Sequence, residues 1–198
     1  MTKVAVIYYS ATGTNRAMAD AVAEGARAAG AEVRVRLIAE NAPPDAIARN
    51  PRWEQFVADT ADLPKATVAD MEWADAVVFG TPTRFGNVAS QFKGFLDQLG
   101  GLWFQGKLAN KVYAGFTSAQ NTHGGQETTL LALYNSLYHF GGYIVTNGYT
   151  DNSVFASGGN PYGPSVTTGP DGAGPSEADL EHGKFLGKRV TEVAAKLS

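Results

Sequence analysis

Apolar runs and helical stripes alternate along the chain. Val4–Tyr9 is a continuous apolar run, the pattern of a strand buried on both faces. After a polar loop, Met18, Ala21, Val22, Gly25, Ala26 and Ala29 recur at helical spacing, and Gly30 is placed to end that helix. Glu32–Leu37 sets Val33, Val35 and Leu37 against charged residues, which predicts a strand with one wet face near the edge of a sheet. Ala76–Phe79, Lys111–Phe116 and Tyr143–Thr146 read as three further strands. Glu127–Phe140 is predicted helical, with Leu130, Leu133, Tyr134 and Leu137 on one face. Pro175-Ser176-Glu177-Ala178-Asp179 carries a capping-box pattern and opens a last helix running to Leu197.

This order predicts an α/β fold over residues 1–198 as a single domain. The expected architecture is a flavodoxin-like, doubly wound, five-stranded parallel sheet with helices on both faces. Ligands of such sheets bind beyond the carboxyl ends of the strands. The loops to inspect are therefore Ser10–Asn15, Gly80–Asn87 and Thr117–Gln126. Two stretches interrupt the alternation. The segment 39–70 carries Pro43-Pro44, Pro51 and Pro64, is too long for an ordinary connection, and is expected to pack beside the first loop. Residues 156–175 are rich in Gly and Pro and hold no Lys or Arg. They read as a flexible surface loop or, through Pro161 and Tyr162, as a lid or oligomer contact.

Composition narrows the chemistry. The 198 residues carry a formal net charge of −3, so no basic excess exists for binding nucleic acid. Cysteine is absent, which removes disulfides, thiolate catalysis and cysteine-ligated metals. The three histidines lie far apart in sequence and suggest no metal motif. The first apolar run is shorter than the roughly 7–15 residues of a signal-peptide core or the about 20 of a membrane span. The expectation is a cytoplasmic protein with no integral membrane segment.

Ser10-Ala11-Thr12-Gly13-Thr14-Asn15 places three hydroxyls, an amide and a glycine between a buried strand and a helix N-terminus. Hydroxyl and backbone N–H donors converge there and the helix dipole favours an anion, as a mononucleotide phosphate requires. Competing phosphate motifs fail. No Gly-x-Gly-x-x-Gly follows the first strand, and in Gly101–Lys107 the Walker pattern breaks at Leu108, where a hydroxyl is needed. Thr81–Asn87 offers backbone amides for a heteroaromatic edge and the apolar face of Phe85. Thr117–Gln126, small and amide-rich, permits close backbone approach, as a flavin or nucleobase pocket would require.

Val-Ile-Tyr-Tyr-Ser, Phe-Gly-Thr-Pro-Thr-Arg-Phe-Gly-Asn, Phe-Leu-Asp-Gln-Leu-Gly-Gly-Leu-Trp, Gly-Gly-Gln-Glu-Thr-Thr and Gly-Gly-Asn-Pro-Tyr-Gly together resemble the WrbA family of flavodoxin-like NAD(P)H:quinone oxidoreductases. The resemblance covers essentially the whole chain. It implies FMN as cofactor, NADH or NADPH as donor, two-electron reduction of quinones, and a homotetramer with active sites at subunit contacts. Ser10, Ala11, Thr12, Gly13, Thr14 and Asn15 would hold the FMN phosphate. Pro82, Thr83, Arg84, Phe85, Gly86 and Asn87 would wrap the ring, together with Ser118, Ala119, Gln120, Asn121, Thr122, Gly124 and Gly125. Trp103 and Thr12 would line the quinone and nicotinamide pocket. His139 would lie near the ring's carbonyl edge, where a donor stabilises negative charge or relays a proton. Trp103 and His139 are thus the expected catalytic pair. The alternative on the same fold is a one-electron carrier of the flavodoxin type. Such carriers are usually strongly acidic, which a net charge of −3 does not match.

Overall fold

The computed structural model describes residues 1–197. Its elements are β1 (Lys3–Tyr8), α1 (Thr14–Ala28), β2 (Glu32–Leu37), α2 (Pro44–Ala48), α3 (Pro51–Asp59), α4 (Val68–Trp73) and β3 (Ala76–Pro82). They continue as α5 (Ser90–Asp97), α6 (Gly100–Phe104), β4 (Val112–Ala119), α7 (Gln126–Tyr138), β5 (Tyr143–Ile144), α8 (Asn152–Ala156), β6 (Ser165–Thr167) and α9 (Glu177–Leu197).

The strands form one parallel sheet in the order β2-β1-β3-β4-β5, with β6 also paired to β4. β1, β3 and β4 are buried on both faces, as their unbroken apolar runs demand. β2 lies at an edge, as its alternation predicts. One apolar layer, built on Ile7, Val77, Phe79 and Tyr113, packs against α5 and α7. The other, built on Val4, Val6, Val78 and Phe116, packs against α1 and α9. Ser176 and Asp179 cap α9 reciprocally: Asp179 Oδ2 accepts from Ser176 N at 2.8 Å, and Ser176 Oγ accepts from Asp179 N at 3.2 Å.

The sheet has six strands among the described residues, where the pattern predicted five. β5 and β6 lie along the same side of β4: β5 pairs with Val112–Tyr113 and β6 with Thr117–Ala119. The fifth strand is in effect split, and residues 145–164 leave the sheet and return. β5 also ends before the predicted Thr146, whose carbonyl is instead bound by Arg189 Nε of α9 at 2.8 Å. The Gly/Pro stretch is therefore not a free loop, since its middle re-enters the sheet.

Candidate functional site

At the carboxyl ends of β1, β3 and β4 the three predicted loops surround a cavity of about 680 Å³. Ser10, Ala11, Thr12, Thr14 and Asn15 form one wall, Pro82–Phe85 a second, and Ser118, Ala119, Gln120, Asn121 and Gly124 a third. Two further segments contribute residues that the sequence alone does not single out, although it predicts that the first packs beside the Ser10–Asn15 loop and allows the second as a lid. The 39–70 segment brings Ala46, Asn50, Arg52 and Trp53, and the Gly/Pro loop brings Thr168, Gly169, Pro170 and Gly172. The charged side chains on the wall are Arg52 and Arg84, with no carboxylate among the described residues.

The first loop is built as an anion seat. Gly13 caps α1 at φ 96°, a left-handed conformation that a side chain would strain. The first turn of α1 holds no acidic residue, so its N–H groups and dipole face the cavity uncompensated. Ser10 Oγ accepts from Gly13 N at 3.1 Å and fixes the turn. Asn15, 1% exposed, donates Nδ2 to Tyr9 O at 3.2 Å. Its Oδ1 is buried without a hydrogen-bond partner among the described residues. A native protein seldom leaves such an atom unsatisfied. Because Tyr9 O holds the amide in this orientation, the atom left without a partner is an acceptor. A polyol chain ending in a phosphate, as in FMN, carries a hydroxyl donor for this acceptor and an anion for the helix N-terminus.

Glu40 ties the 39–70 segment to this loop. Its carboxylate accepts from Tyr9 Oη at 2.7 Å, Trp53 Nε1 at 2.8 Å, Gln91 Nε2 at 2.7 Å and the N–H groups of Asn41 and Ala42 at 2.9 Å each. Burial alone would raise its pKa, but the hydrogen bonds outweigh burial and hold it below the ordinary value. Tyr9 moves the other way, raised far above its usual range by burial and by Glu40. Burial likewise pushes Tyr8 up to about 12 against the opposing charge of Arg16.

The second and third loops are fastened together. Thr83 N donates to Ser118 O at 2.8 Å, and Thr129 Oγ1 of α7 bonds Thr83 Oγ1 at 2.7 Å. Arg84 and Asn87 exchange backbone hydrogen bonds at 2.7 and 3.1 Å around a tight turn whose central residues, Phe85 and Gly86, sit at φ 54° and 74°. A bulky residue at positive φ is a genuine outlier. Here it displays a fully exposed phenyl ring at the cavity rim.

Several expected residues stand outside the cavity wall. Gly13, Gly86, Asn87 and Gly125 shape the loops from behind: Gly125 caps α7 at φ 89°, and a Cβ there would lie 2.8 Å from Gly86 Cα. Thr122 points to solvent at the loop tip. Trp103 and His139 are not at this cavity. They adjoin each other, Trp103 Nε1 donating to His139 O at 2.7 Å. His139 follows the last turn of α7, whose first turn adjoins the cavity, so the 13-residue helix separates them by roughly 20 Å. Both side chains are exposed.

The comparisons with known proteins fit this geometry. A protein of Deinococcus radiodurans named NAD(P)H dehydrogenase (quinone) is 50% identical over 195 residues, covering 98% of this chain and 96% of its own. One of the same name from Azorhizobium caulinodans is 48% identical over 202 residues, covering 100% of this chain and 99% of its own. The crystal structure of a WrbA-like flavodoxin from Agrobacterium tumefaciens superposes with a TM-score of 0.71 at 29% identity, with both chains fully covered. A flavodoxin from the domain Archaea, 18% identical over 98% of this chain and 99% of its own, shares the fold at a TM-score of 0.65. The resemblance to the WrbA family and the flavodoxin-like fold are thus both borne out. The sequence pattern of NADPH-dependent FMN reductases matches residues 2–153, and with these relatives it establishes that the chain belongs to the NADPH-dependent FMN reductase family.

Proposed function

We propose that the chain acts as one flavodoxin-like domain and catalyses FMN-dependent, two-electron reduction of quinones by NADH or NADPH. The observation that carries this reading is the anion seat of Ser10–Asn15 with its unpartnered Asn15 Oδ1. It opens into a cavity free of carboxylates among the described residues. The names of the relatives supply the quinone and the nicotinamide donors.

FMN, when bound, supplies the redox chemistry, and the protein supplies position and field. The hydroxyls of Ser10, Thr12 and Thr14 and the first N–H groups of α1 would hold the phosphate. Asn15 Oδ1 would be the acceptor available to a ribityl hydroxyl. The Thr83–Ser118 and Thr83–Thr129 bonds hold two loops as one rigid frame for the edge of the ring. Phe85 offers an apolar face beside it.

Trp103 and His139 reach a flavin site only from another subunit, since their own chain places them at the far end of α7. A homotetramer with sites at subunit contacts meets this need. Exposed aromatic residues support it: Phe85, Trp103, Phe104, Tyr138, Tyr149 and Phe155 all lie on the surface of the single chain. In such an assembly Trp103 would wall the acceptor pocket and His139 would set its imidazole near the ring's carbonyl edge. Reliance on nicotinamide donors supports a cytoplasmic location. No helix among the described residues is long and apolar enough to cross a membrane.

The test is reconstitution with FMN followed by NAD(P)H oxidation with and without benzoquinone. Rapid oxidation that depends on both FMN and quinone is expected. Tight FMN binding without quinone-dependent turnover would favour the electron carrier, and no FMN binding would overturn both readings.

A further inference from the structure

We propose that Arg52 is a phosphate-selective latch: it recognises the dianionic phosphomonoester of the cofactor and fastens the Gly/Pro loop across the mouth of the cavity. The proposal rests on the FMN reading above and adds a residue to which neither the family motifs nor the loop chemistry points.

The phosphate loop itself contains no cation. The nearest in sequence, Arg16, is engaged by Asp20 at 2.7 Å. The N-terminus of α1 supplies positive field for a dianion seated there, and the cavity wall adds the cations Arg52 and Arg84. Arg84 belongs to the ring-side loop, where Nη1 donates to Thr83 O at 3.0 Å. Arg52 lies on the phosphate side. It shares a shallow outer groove with Thr12, Gln55, Phe56 and Asp59. Phe56, on the same helix, lies 3.7 Å from where a Cβ of Gly13 would stand, so α3 is docked directly on the phosphate loop.

The position of Arg52 is fixed from below. Asn50 Oδ1 caps α3 by accepting from Arg52 N at 3.1 Å and Trp53 N at 3.3 Å, and Trp53 is anchored on Glu40. At its tip, Nη1 donates to Asp171 O at 2.9 Å and Nη2 to Gly172 O at 2.5 Å. Both partners are neutral carbonyls, and no ion pair to Arg52 exists among the described residues. A guanidinium has five N–H donors. Two hold the loop, and the charge remains available to a phosphate on the adjoining seat. Arginine is the side chain suited to bridging planar acceptors and a phosphate at once.

The experiment titrates apo-protein with FMN and with riboflavin, which lacks the phosphate, and follows quenching of flavin fluorescence. Wild type, Arg52→Ala, Arg52→Lys and Gly172→Ala are compared, with stopped-flow dissociation rates. Arg52→Ala should weaken FMN binding about 10- to 100-fold while riboflavin changes little, because one charge-assisted contact is lost. Arg52→Lys, which keeps the charge, should recover most of the preference for FMN. In Gly172→Ala a Cβ would stand 1.8 Å from Nη1 and push the guanidinium off the loop. That variant should keep the preference for FMN but release flavin faster. Equal losses for FMN and riboflavin in Arg52→Ala would reduce Arg52 to a structural strap and overturn the proposal. Tight, phosphate-selective binding in Arg52→Ala would overturn it while leaving the FMN reading intact. Failure of the wild type to bind FMN would overturn both.

Discussion

Replacing Asn15 by Asp exchanges the amide NH2 for an oxygen and leaves the shape of the side chain nearly unchanged. In the native chain Nδ2 donates to Tyr9 O and Oδ1 is buried and unpartnered. An ionised carboxylate there cannot donate to Tyr9 O, so a buried carbonyl loses its partner at a cost of about 1–3 kcal/mol. The charge itself is desolvated, and the N-terminus of α1 offsets at most about 1–2 kcal/mol of that. Protonated, the same group restores the bond, its O–H replacing the amide N–H. The introduced carboxyl therefore has a folded pKa raised above its unfolded value of about 3.9. The sign follows from linkage: the folded variant binds the proton more tightly, so its stability relative to wild type is kept at low pH and lost as pH rises through the raised value. The variant should match wild type near pH 4 and fall behind by about 2–4 kcal/mol at pH 8, since each tenfold gain in proton affinity on folding corresponds to about 1.4 kcal/mol. Urea unfolding of both proteins at half-unit steps of pH measures the difference curve. FMN affinity at pH 8 should drop at least about tenfold, since a second anion then faces the phosphate. A difference that does not vary with pH would mean that Asn15 is not packed on Tyr9 O as described.

Thr12→Ala combined with Thr14→Ala should weaken FMN binding by several kcal/mol, at about 1.5–3 kcal/mol per hydroxyl bond to a charged acceptor; unchanged affinity in a flavin titration would place the phosphate elsewhere. Trp103→Ala should leave flavin occupancy intact and lower kcat/KM for quinone by roughly 30- to 150-fold, from lost stacking and burial of about 2–3 kcal/mol; normal kinetics in the loaded variant would remove Trp103 from the acceptor pocket. His182 is buried between Asn147, which faces Nε2, and Ser157 Oγ, 2.6 Å from Nδ1, and burial lowers its pKa from 6.5 to about 4. Its contribution is therefore full above pH 6.5 and lost as pH falls toward 4, up to about 3 kcal/mol, and His182→Gln should remove that part of the acid sensitivity in a denaturant series.

What the sequence made legible is what local physics decides. Unbroken apolar runs placed β1, β3 and β4 in the sheet interior, and alternation placed β2 at an edge. Three strand-to-helix loops then had to meet at one end of the sheet. Contributions decided by distant partners stayed hidden. Ser165-Val166-Thr167 becomes a strand because β4 has an open edge beside it, while its own neighbours are Gly and Pro. Asn50-Pro51 announces a helix start, but only the convergence of Tyr9, Trp53 and Gln91 on Glu40 turns that helix toward the cavity. Trp103 and His139 show the converse. A family motif names a role without saying where the fold sets the side chain, and here the pair stands at the far end of α7 from the cavity.

The split fifth strand also bears on how the protein survives at high concentration. A long, flat outer strand presents a row of free N–H and C=O groups that another molecule can copy, which is the first step toward a fibril. β5 and β6 offer only two and three residues each, separated by the 145–164 excursion. The hydroxyl of Tyr134 closes on Tyr162 O within that excursion. At the opposite margin β2 carries Arg34 and Arg36, both paired with Asp70, and Leu37 bridges to Lys65. The short, interrupted β5 and β6 and the paired charges along β2 thus disfavour the addition of a foreign strand at either margin of the sheet.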